Sequence, residues 1–190
     1  QATSRTTSTG TRPLGRRTTS NRPCYERAVS DREGIGVGLM GLGVVGGGVA
    51  SVLASKADAI AQQVGCPLTL RAVLVRDPGK KRPYGVPSPL LTTNPQRLLG
   101  DDSIDIVVEV IGGETDAYRY MKEAILRGKH VVTANKEVIA KHGLELMALA
   151  AEHRVDIRHE TSVGGGIPII GPFRQDLLAN KISAIHAIIN

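Results

Sequence analysis

The 190-residue sequence contains no tryptophan, one phenylalanine and only two cysteines. It has no apolar run of about 18 residues, which a membrane-spanning helix needs, so we expect no membrane partner. Its five histidines show no HxxxH or HxH spacing, and Cys24 and Cys66 form no CxxC pair, which argues against a structural zinc site. We interpret both cysteines as free thiols of a reducing compartment and expect a cytoplasmic protein.

Positive charge is unevenly distributed along the chain. Residues 1–34 contain seven arginines and three acidic residues, so they contribute +4 of the net charge of +6. This Arg-, Ser- and Thr-rich stretch has too few apolar residues to fold, and we expect 1–34 to be a disordered leader. The same composition is typical of a transit peptide, so an organellar location is the alternative. Only Tyr25 offers a stacking group near these arginines, and we expect no nucleic-acid partner.

Beyond the leader, apolar β-branched runs alternate with helical patterns. The alternation predicts an α/β fold of the Rossmann type, a doubly wound parallel sheet with helices on both faces. We expect a dinucleotide-binding domain over 35–180 and the start of a truncated substrate domain over 181–190. Asp116 and Asn135 are expected helix caps, and Gly143 is a candidate helix break. The expected strands are 35–41, 68–75, 104–112, 130–134, 155–160 and 182–189, and the expected helices are 44–64, 96–99, 116–127, 135–153 and 167–180.

The segment Gly41-Leu42-Gly43-Val44-Val45-Gly46 fits the pattern GxGxxG between the first strand and the first helix. Gly41 permits a tight turn, Gly43 lets the backbone approach a pyrophosphate, and Gly46 allows close packing of helix on strand. Backbone N–H groups of Val44 and Val45, at the start of the helix, then face the phosphates. The motif in this context predicts a dinucleotide cofactor, and a glycine-rich turn that serves packing alone is the alternative.

The end of the second strand distinguishes NADP from NAD. An acidic residue there binds the ribose hydroxyls of NAD, whereas a basic residue accommodates the extra phosphate of NADP. Arg76 stands at this position, and Lys80 and Lys81 follow in a loop suited to a phosphate dianion. Asp77, the next residue, is instead suited to bind the ribose hydroxyls of NAD. We therefore favour NADP, with NAD as the alternative.

Lys136 lies where the fourth strand turns into a helix. Ligands of parallel sheets bind at the carboxyl ends of the strands, so the topology directs Lys136 into the cofactor crevice, and we assign Thr133 to the same site. A lysine beside an alcohol or carbonyl can shuttle a proton while hydride moves to or from a nicotinamide. Lys136 is therefore the candidate catalytic residue, and a surface lysine is the alternative.

Four segments carry a resemblance to a known family: GLGVVG (41–46), IDIVVEVIGG (104–113), GKHVVTANKE (128–137) and ETSVGGGIPII (160–170). In this order they resemble the cofactor domain of homoserine dehydrogenases. The resemblance implies reversible oxidation of the small molecule L-homoserine to L-aspartate 4-semialdehyde with NAD(P), in threonine and methionine biosynthesis, by a homodimeric full-length enzyme. It also implies that Gly112 and Gly113 lie near the ribose and nicotinamide, and that Lys136 contacts cofactor and substrate.

The glycine-rich segment near residue 165 is where this family holds a sodium ion through backbone carbonyls. The resemblance transfers these positions to Glu160, Val163, Gly165 and Ile167, whereas the residues alone indicate a tight strand-to-helix loop. Thr161 departs from the alanine usual in the family. Because the family's substrate domain is missing from the chain, we expect this cofactor-binding part to be inactive alone. A catalytically silent dinucleotide-binding module, acting as a sensor or interaction partner, is the alternative function.

Overall fold

The computed structural model describes residues 34–186, and the predictions for the leader and for residues 187–190 lie outside this range. Six parallel strands form one sheet in the order β3–β2–β1–β4–β5–β6. The strands are β1 (Ile35–Met40), β2 (Leu68–Leu74), β3 (Leu91–Thr92), β4 (Ile106–Glu109), β5 (His130–Thr133) and β6 (Ile157–Arg158). The helices are α1 (Val44–Ser55), α2 (Ala57–Val64), α3 (Gln96–Leu99), α4 (Thr115–Leu126), α5 (Lys136–His153), α6 (Thr161–Gly164) and α7 (Ile170–Arg174), with a 3-10 turn at Ser88–Leu90. This strand order confirms the predicted Rossmann-type sheet.

The central strands are apolar because helices or loops cover both faces of the sheet. Met40 and Leu39, neighbours on β1, are both fully buried but belong to opposite cores. The core around Met40 includes side chains of α3, α4 and α5. The core around Leu39 includes α1 and the partly buried side chains of Tyr84 and Val86. Burial on both faces explains the continuous apolar runs that predicted these strands.

The predicted helix over 44–64 is wrong in one respect, because it forms two helices. α1 and α2 meet at an angle of 78°. The chain leaves the helical region at Lys56, where φ is −118° and ψ is 21°, without a proline or glycine at that point. Within residues 34–186, no single helix is long and apolar enough to cross a membrane, and α1 and α2 reach the required length and hydropathy only as this bent pair.

Two of the three predicted helix signals need correction. Asn135 caps α5 as predicted, since its side chain accepts a hydrogen bond from the N–H of Val138. Asp116 is not a cap: Glu114 occupies the N-cap of α4, and Asp116 lies in the first turn, where a carboxylate is favourable to the helix dipole. Gly143 does not break α5, which is 18 residues long and continues through this position.

The chain beyond β5 is less regular than predicted. β6 spans only two residues, and the helix expected over 167–180 is reduced to α7. Pro168 explains the late start of α7, because it lacks an N–H donor and disfavours helical backbone at Ile167, whereas Pro172 lies in the first turn of α7, where proline is tolerated. No strand forms over 181–186, the described part of the run expected at 182–189. The two-residue strand β3, which extends the sheet at its other edge, was not predicted.

Candidate dinucleotide-binding site

A pocket of about 290 Å³ lies beside the carboxyl ends of β1, β4 and β5. Its walls come from the start of α1, the turn after β4 and the start of α5. The lining residues are Val45, Val110, Gly112, Gly113, Ala134, Asn135, Lys136 and Glu137. Those predicted from the sequence as site residues are Val45, Gly112, Gly113 and Lys136. Loops distant in the sequence therefore meet because their strands are parallel and adjacent.

Tight backbone contacts shape the glycine loop. Gly41 has φ +101°, a conformation that strongly favours glycine. A Cβ atom on Gly46 would stand 2.0 Å from the carbonyl oxygen of Gly41, so only glycine lets α1 approach the end of β1 this closely. Gly43 differs, because a Cβ there would meet no atom within 4 Å. The open space at Gly43 lies at the N-terminus of α1, where the predicted pyrophosphate would bind.

The N-terminus of α1 has no side-chain cap. Its N-cap residue is Gly43, and its first turn contains no acidic residue. The first backbone N–H groups of the helix, which have no partner within the helix, therefore receive no acceptor from a capping side chain. Val44 is 85 % exposed beside them. A phosphate group would supply the missing acceptors and negative charge at this positive end of the helix dipole.

Hydrogen bonds between buried side chains shape the opposite wall. Glu109, the last residue of β4, is fully buried. One carboxylate oxygen accepts a hydrogen bond from Thr133 Oγ1 at 2.6 Å, and the other accepts one from the N–H of Ile111 at 2.9 Å. Thr133 is the last residue of β5, so the pair joins the ends of the two strands. A buried carboxylate is stable in such a place only when polar partners of this kind replace water.

Asn135 extends this connection into the pocket wall. Its N–H donates to Thr133 Oγ1 at 2.9 Å, and its Nδ2 donates to the carbonyl oxygen of Gly113 at 2.7 Å. Its Oδ1 accepts from the N–H of Val138, which caps α5. A single side chain therefore ties the turn at Gly113 to the start of the helix that carries Lys136. Gly112 and Gly113 both have positive φ, +71° and +74°, and a Cβ on either would meet no atom within 4 Å.

Thr133, which the sequence predicts as a cofactor-binding residue, is buried beside the pocket. It is only 2 % exposed, and its hydroxyl donates to Glu109 while it accepts from Asn135. The hydroxyl thus lies beneath the pocket wall and supports it, and a direct cofactor contact of this residue stays a prediction. Lys136 is exposed at the first position of α5, directly on the pocket wall.

The basic loop after β2 has its own internal structure. The guanidinium of Arg82 donates to the carbonyl oxygens of Lys80 and Asp77, both at 2.9 Å. Asp77 Oδ1 accepts from the N–H of Gly79 at 2.8 Å. Arg76, Lys80 and Lys81 are all exposed and do not line the pocket. They follow β2, the strand next to β1, which is where the adenosine end of a dinucleotide lies in this fold.

Ion pairs occupy the outer rim of the pocket. Lys141 Nζ contacts a carboxylate oxygen of Glu114 and lies 3.0 Å from Glu137 Oε1, while His142 Nε2 lies 3.0 Å from the other oxygen of Glu114. The hydrogen bond from Lys141 is the main cause that holds the pKa of Glu114 below its ordinary value, with His142 second. The hydrogen bond to Glu114, followed by that to Glu137, raises the pKa of Lys141. These groups are largely solvated, so each pair contributes little to stability.

The residues predicted for a sodium ion follow β6 at the edge of the sheet and do not line the pocket. The Glu160 carboxylate accepts hydrogen bonds from the N–H groups of Ile169, Ile170 and Gly171, which folds the chain back onto the start of α7. Burial alone would raise the pKa of Glu160, but these three bonds lower it below its ordinary value. Val163 lies in α6, and Gly165 turns the chain with φ +60° and ψ −112°. Among residues 34–186, no three His, Cys, Asp or Glu side chains cluster in a way that could hold a metal ion.

Glu109 and the amide of Asn135 were missed as site residues. A single Glu inside the apolar run IDIVVEVIGG was the available signal, because a carboxylate in a buried strand requires specific partners. Which partners it finds depends on the register in which Glu109 pairs with Thr133, and the sequence does not specify that register.

Comparison with known proteins identifies the family of this fold. The family model described as "Homoserine dehydrogenase, NAD binding domain" matches residues 41–160. The chain is 44% identical over 156 residues to the homoserine dehydrogenase of Bacillus subtilis, which covers 82% of this chain and 36% of that protein. The chain thus spans about a third of the length of the curated relatives it matches.

Solved structures give the same result. A homoserine dehydrogenase from Thiobacillus denitrificans superposes with a TM-score of 0.72 at 44% identity, covering 78% of this chain and 35% of that one. A hyperthermophilic archaeal homoserine dehydrogenase in complex with NADPH superposes with a TM-score of 0.62 at 27% identity, covering 76% of this chain and 49% of that one.

Proposed function

This chain belongs to the homoserine dehydrogenase family and corresponds to its NAD-binding domain; from that premise we propose that it is the cofactor-binding part of an NADP-dependent enzyme that interconverts L-homoserine and L-aspartate 4-semialdehyde. The observation that carries the proposal is the meeting of three elements at one pocket: the uncapped N-terminus of α1, the Gly112–Gly113 turn and Lys136. A phosphate, a sugar and a reacting group require these three kinds of surface side by side.

Each element has a distinct part in the proposed reaction. The bound cofactor supplies the hydride acceptor. Lys136, at the pocket wall, acts as the neutral amine: its Nζ receives the hydroxyl proton as the alcohol is oxidised, and the resulting ammonium returns that proton in the reverse direction. Asn135 holds the start of α5 against Gly113, which keeps the Lys136 backbone at a fixed distance from the glycine turn. The α1 N-terminus orients the pyrophosphate through backbone N–H groups.

The basic loop supports NADP over NAD. Arg76, Lys80 and Lys81 are exposed after β2, where they can meet a 2′-phosphate. Asp77, the residue that supports NAD, already accepts the Gly79 N–H through one carboxylate oxygen. The archaeal relative, solved with NADPH, also agrees with this assignment. A clear preference for NADH over NADPH in binding to the chain would contradict it.

We propose in addition a sodium ion at the backbone carbonyls of Glu160, Val163, Gly165 and Ile167. Carbonyl oxygens are suitable donors for a hard cation, and the unusual dihedrals of Gly165 turn the chain within this segment. The ion would fix the segment between β6 and α7 and take no part in proton transfer. Replacing NaCl by a tetramethylammonium salt should lower the melting temperature of the chain, and adding NaCl back should restore it. An unchanged melting temperature would contradict the site.

Other properties of the whole protein are also proposals. We propose a homodimer in the cytoplasm, acting in threonine and methionine biosynthesis, without nucleic-acid or membrane partners. Sequence charge supports the absence of nucleic acid, because residues 35–190 carry only +2 of the net charge of +6. Light scattering of the full-length protein and fractionation of the source cell are the direct tests. A monomer, or a protein located in an organelle, would overturn the corresponding proposal.

The activity is tested by Lys136→Met in the full-length protein, assayed with homoserine and NADP. We expect kcat to fall by roughly 10²–10⁴-fold, because the proton loses its acceptor, while NADPH affinity changes little. Lys56→Met is the matched control, since Lys56 is equally exposed but lies between α1 and α2. Unchanged turnover in Lys136→Met would favour a silent dinucleotide-binding module, and no turnover of homoserine by the wild type with either cofactor would reject the proposed activity.

A further inference from the structure

α1 contains three consecutive glycines directly after its first two residues, Gly46, Gly47 and Gly48, although glycine is among the poorest helix formers. Gly46 is explained by its contact with the Gly41 carbonyl. A Cβ on Gly48 would meet nothing within 4 Å, so that glycine is not sterically required. Gly47 is buried in the second turn of the helix, outside the GxGxxG pattern. The need for glycine at position 47 therefore comes from a contact with another part of the chain.

That requirement is the ring of Tyr84. A Cβ on Gly47 would stand 2.2–2.4 Å from three ring carbons of Tyr84, far inside van der Waals contact. The ring therefore lies against the bare backbone of α1, in the place that any larger side chain at position 47 would fill. Tyr84 is half-buried and, like Val86 and Leu91, packs against the core that contains Leu39. The absence of a side chain at Gly47 thus leaves the space that the aromatic ring occupies.

Tyr84 belongs to the same loop as the basic residues that follow β2. Arg82, two residues before it, donates to the carbonyl oxygens of Lys80 and Asp77. The hydrogen bonds of Arg82 therefore hold the basic part of the loop together, and the contact of the Tyr84 ring with Gly47 holds the following part of the loop against α1. The contact also connects this loop to the helix whose N-terminus faces the predicted pyrophosphate. The Tyr84–Gly47 contact therefore contributes to the position of the basic loop relative to α1.

We propose that Tyr84 is a specificity-determining positioning residue, which docks the basic loop on Gly47 so that Arg76, Lys80 and Lys81 meet the 2′-phosphate of NADP. The inference rests on the proposed preference for NADP. It goes beyond that preference because it assigns selectivity to an aromatic residue with no charge and no place in the glycine motif. A loop released from α1 would keep its charges but lose their fixed position, and ordered charge-assisted hydrogen bonds would become transient.

The test compares wild type, Tyr84→Ala and Tyr84→Phe in the 190-residue chain, titrated with NADPH and with NADH by nicotinamide fluorescence. Tyr84→Ala should weaken NADPH binding by about tenfold and NADH binding by less than about twofold, since NADH has no 2′-phosphate for the loop to meet. Tyr84→Phe keeps the ring that contacts Gly47 and should retain the wild-type ratio. Tyr84→Leu, which preserves apolar volume but not ring shape, provides the same reading should the alanine variant fail to fold.

The outcomes separate the two proposals. Equal losses for NADPH and NADH, or an unchanged affinity ratio in both Tyr84→Ala and Tyr84→Leu, would overturn the role of Tyr84 and leave the NADP assignment intact. Equal affinities of the wild-type chain for NADPH and NADH would overturn the NADP assignment and, with it, the role of Tyr84. That second result is read from the wild type alone, before any variant is considered.

Discussion

The glycine loop after β1 and the turn that joins β5 to α5 face the same pocket, yet one is shaped by missing side chains and the other by paired ones. At the glycine loop, a single added carbon on Gly46 would collide with the Gly41 carbonyl at 2.0 Å. At the β4–β5 end, Glu109, Thr133 and Asn135 form a continuous set of hydrogen bonds between 2.6 and 2.9 Å.

This difference predicts opposite sensitivities. The glycine half of the pocket, the loop from Gly41 to Gly46, has little room for extra atoms but depends on few polar side chains. Adding an atom there should therefore lower stability and cofactor affinity. The polar half contains buried groups that need each other, so removing an atom should damage it, because an unsatisfied buried group costs more than its hydrogen bond contributed. In the proposed function the two sides also serve different parts of one ligand, the pyrophosphate at the glycine loop and the nicotinamide at the turn between β5 and α5.

The largest effect is expected at Gly46. Gly46→Ala should destabilise the chain by about 3 kcal/mol, because the clash is with backbone that cannot move aside. NADPH affinity should fall by about 100-fold as α1 is pushed from β1. Urea unfolding and NADPH titration give the two values. Gly48→Ala is the matched control in the same helix: it meets open space and should raise stability by about 0.5–1 kcal/mol through helix propensity. Similar results for both variants would contradict the steric account.

A smaller loss is expected at Thr133. Thr133→Val keeps the shape of the side chain but leaves one oxygen of the Glu109 carboxylate and the Asn135 N–H without a partner, at a cost of about 2 kcal/mol in urea unfolding. Thr133→Ser keeps the hydroxyl and is the control, expected to lose less than half as much. A valine variant as stable as the serine variant would show that the hydrogen bonds contribute little.

The same Thr133→Val variant distinguishes the two ends of the pocket. It should bind NADPH more weakly by about fivefold, because the Asn135 N–H loses its acceptor, which loosens the residue that holds the turn at Gly113 against the start of α5. Its affinity for 2′,5′-ADP, which lacks the nicotinamide half, should equal that of the wild type. Calorimetric titration with both ligands provides the comparison. Equal weakening for the two ligands would mean that the buried hydrogen bonds support the whole fold and not one end of the pocket.

The smallest effect is expected at the solvated rim. The pKa of Glu114 lies below its ordinary value of 4.5, chiefly through Lys141, so its contribution to stability is present above that value and is lost as the pH falls through the lowered pKa. Glu114→Gln should therefore be slightly less stable than wild type at about pH 7 and equal to it once the pH is below the lowered pKa of Glu114. The difference should also shrink at high salt.

Glu145→Gln provides the control for the rim. Glu145 pairs with Lys122 and Tyr118 across α4 and α5, and its pKa is likewise lowered, mainly by the hydrogen bond from Lys122. Both variants should show the same small pH-dependent loss in urea midpoint. A rim variant that lost as much stability as Thr133→Val would remove the distinction between solvated and buried polar contacts.

The sequence predicted the parts of the site that depend on local chemistry. The GxGxxG pattern, the Asn135 cap and Lys136 at a strand end are signals contained within a few residues, and the structure places Val45, Lys136 and the Gly112–Gly113 turn around one pocket. Alternation of apolar runs was sufficient for the parallel sheet, since both faces of its central strands are buried.

Features that depend on contacts between distant residues were not predictable in this way. The contact between the Tyr84 ring and Gly47 joins residues 37 positions apart in the chain, and the Glu109–Thr133 hydrogen bond depends on strand register. The bend at Lys56 has no proline or glycine to signal it. The helix predicted after β6 is too long, because apolar periodicity from Ile167 outweighed Pro168, which delays the start of α7, and no proline or glycine marks the end of α7 at Arg174.

The most direct test of the two-sided pocket is an amide NMR titration of the 20.1 kDa chain with NADPH. The account predicts that the amides of Gly43, Val44 and Val45 and those of Gly112, Gly113 and Lys136 shift together and fit one shared dissociation constant. Binding confined to one of these two sets, or shifts that fail to saturate, would contradict the claim that both halves hold a single dinucleotide.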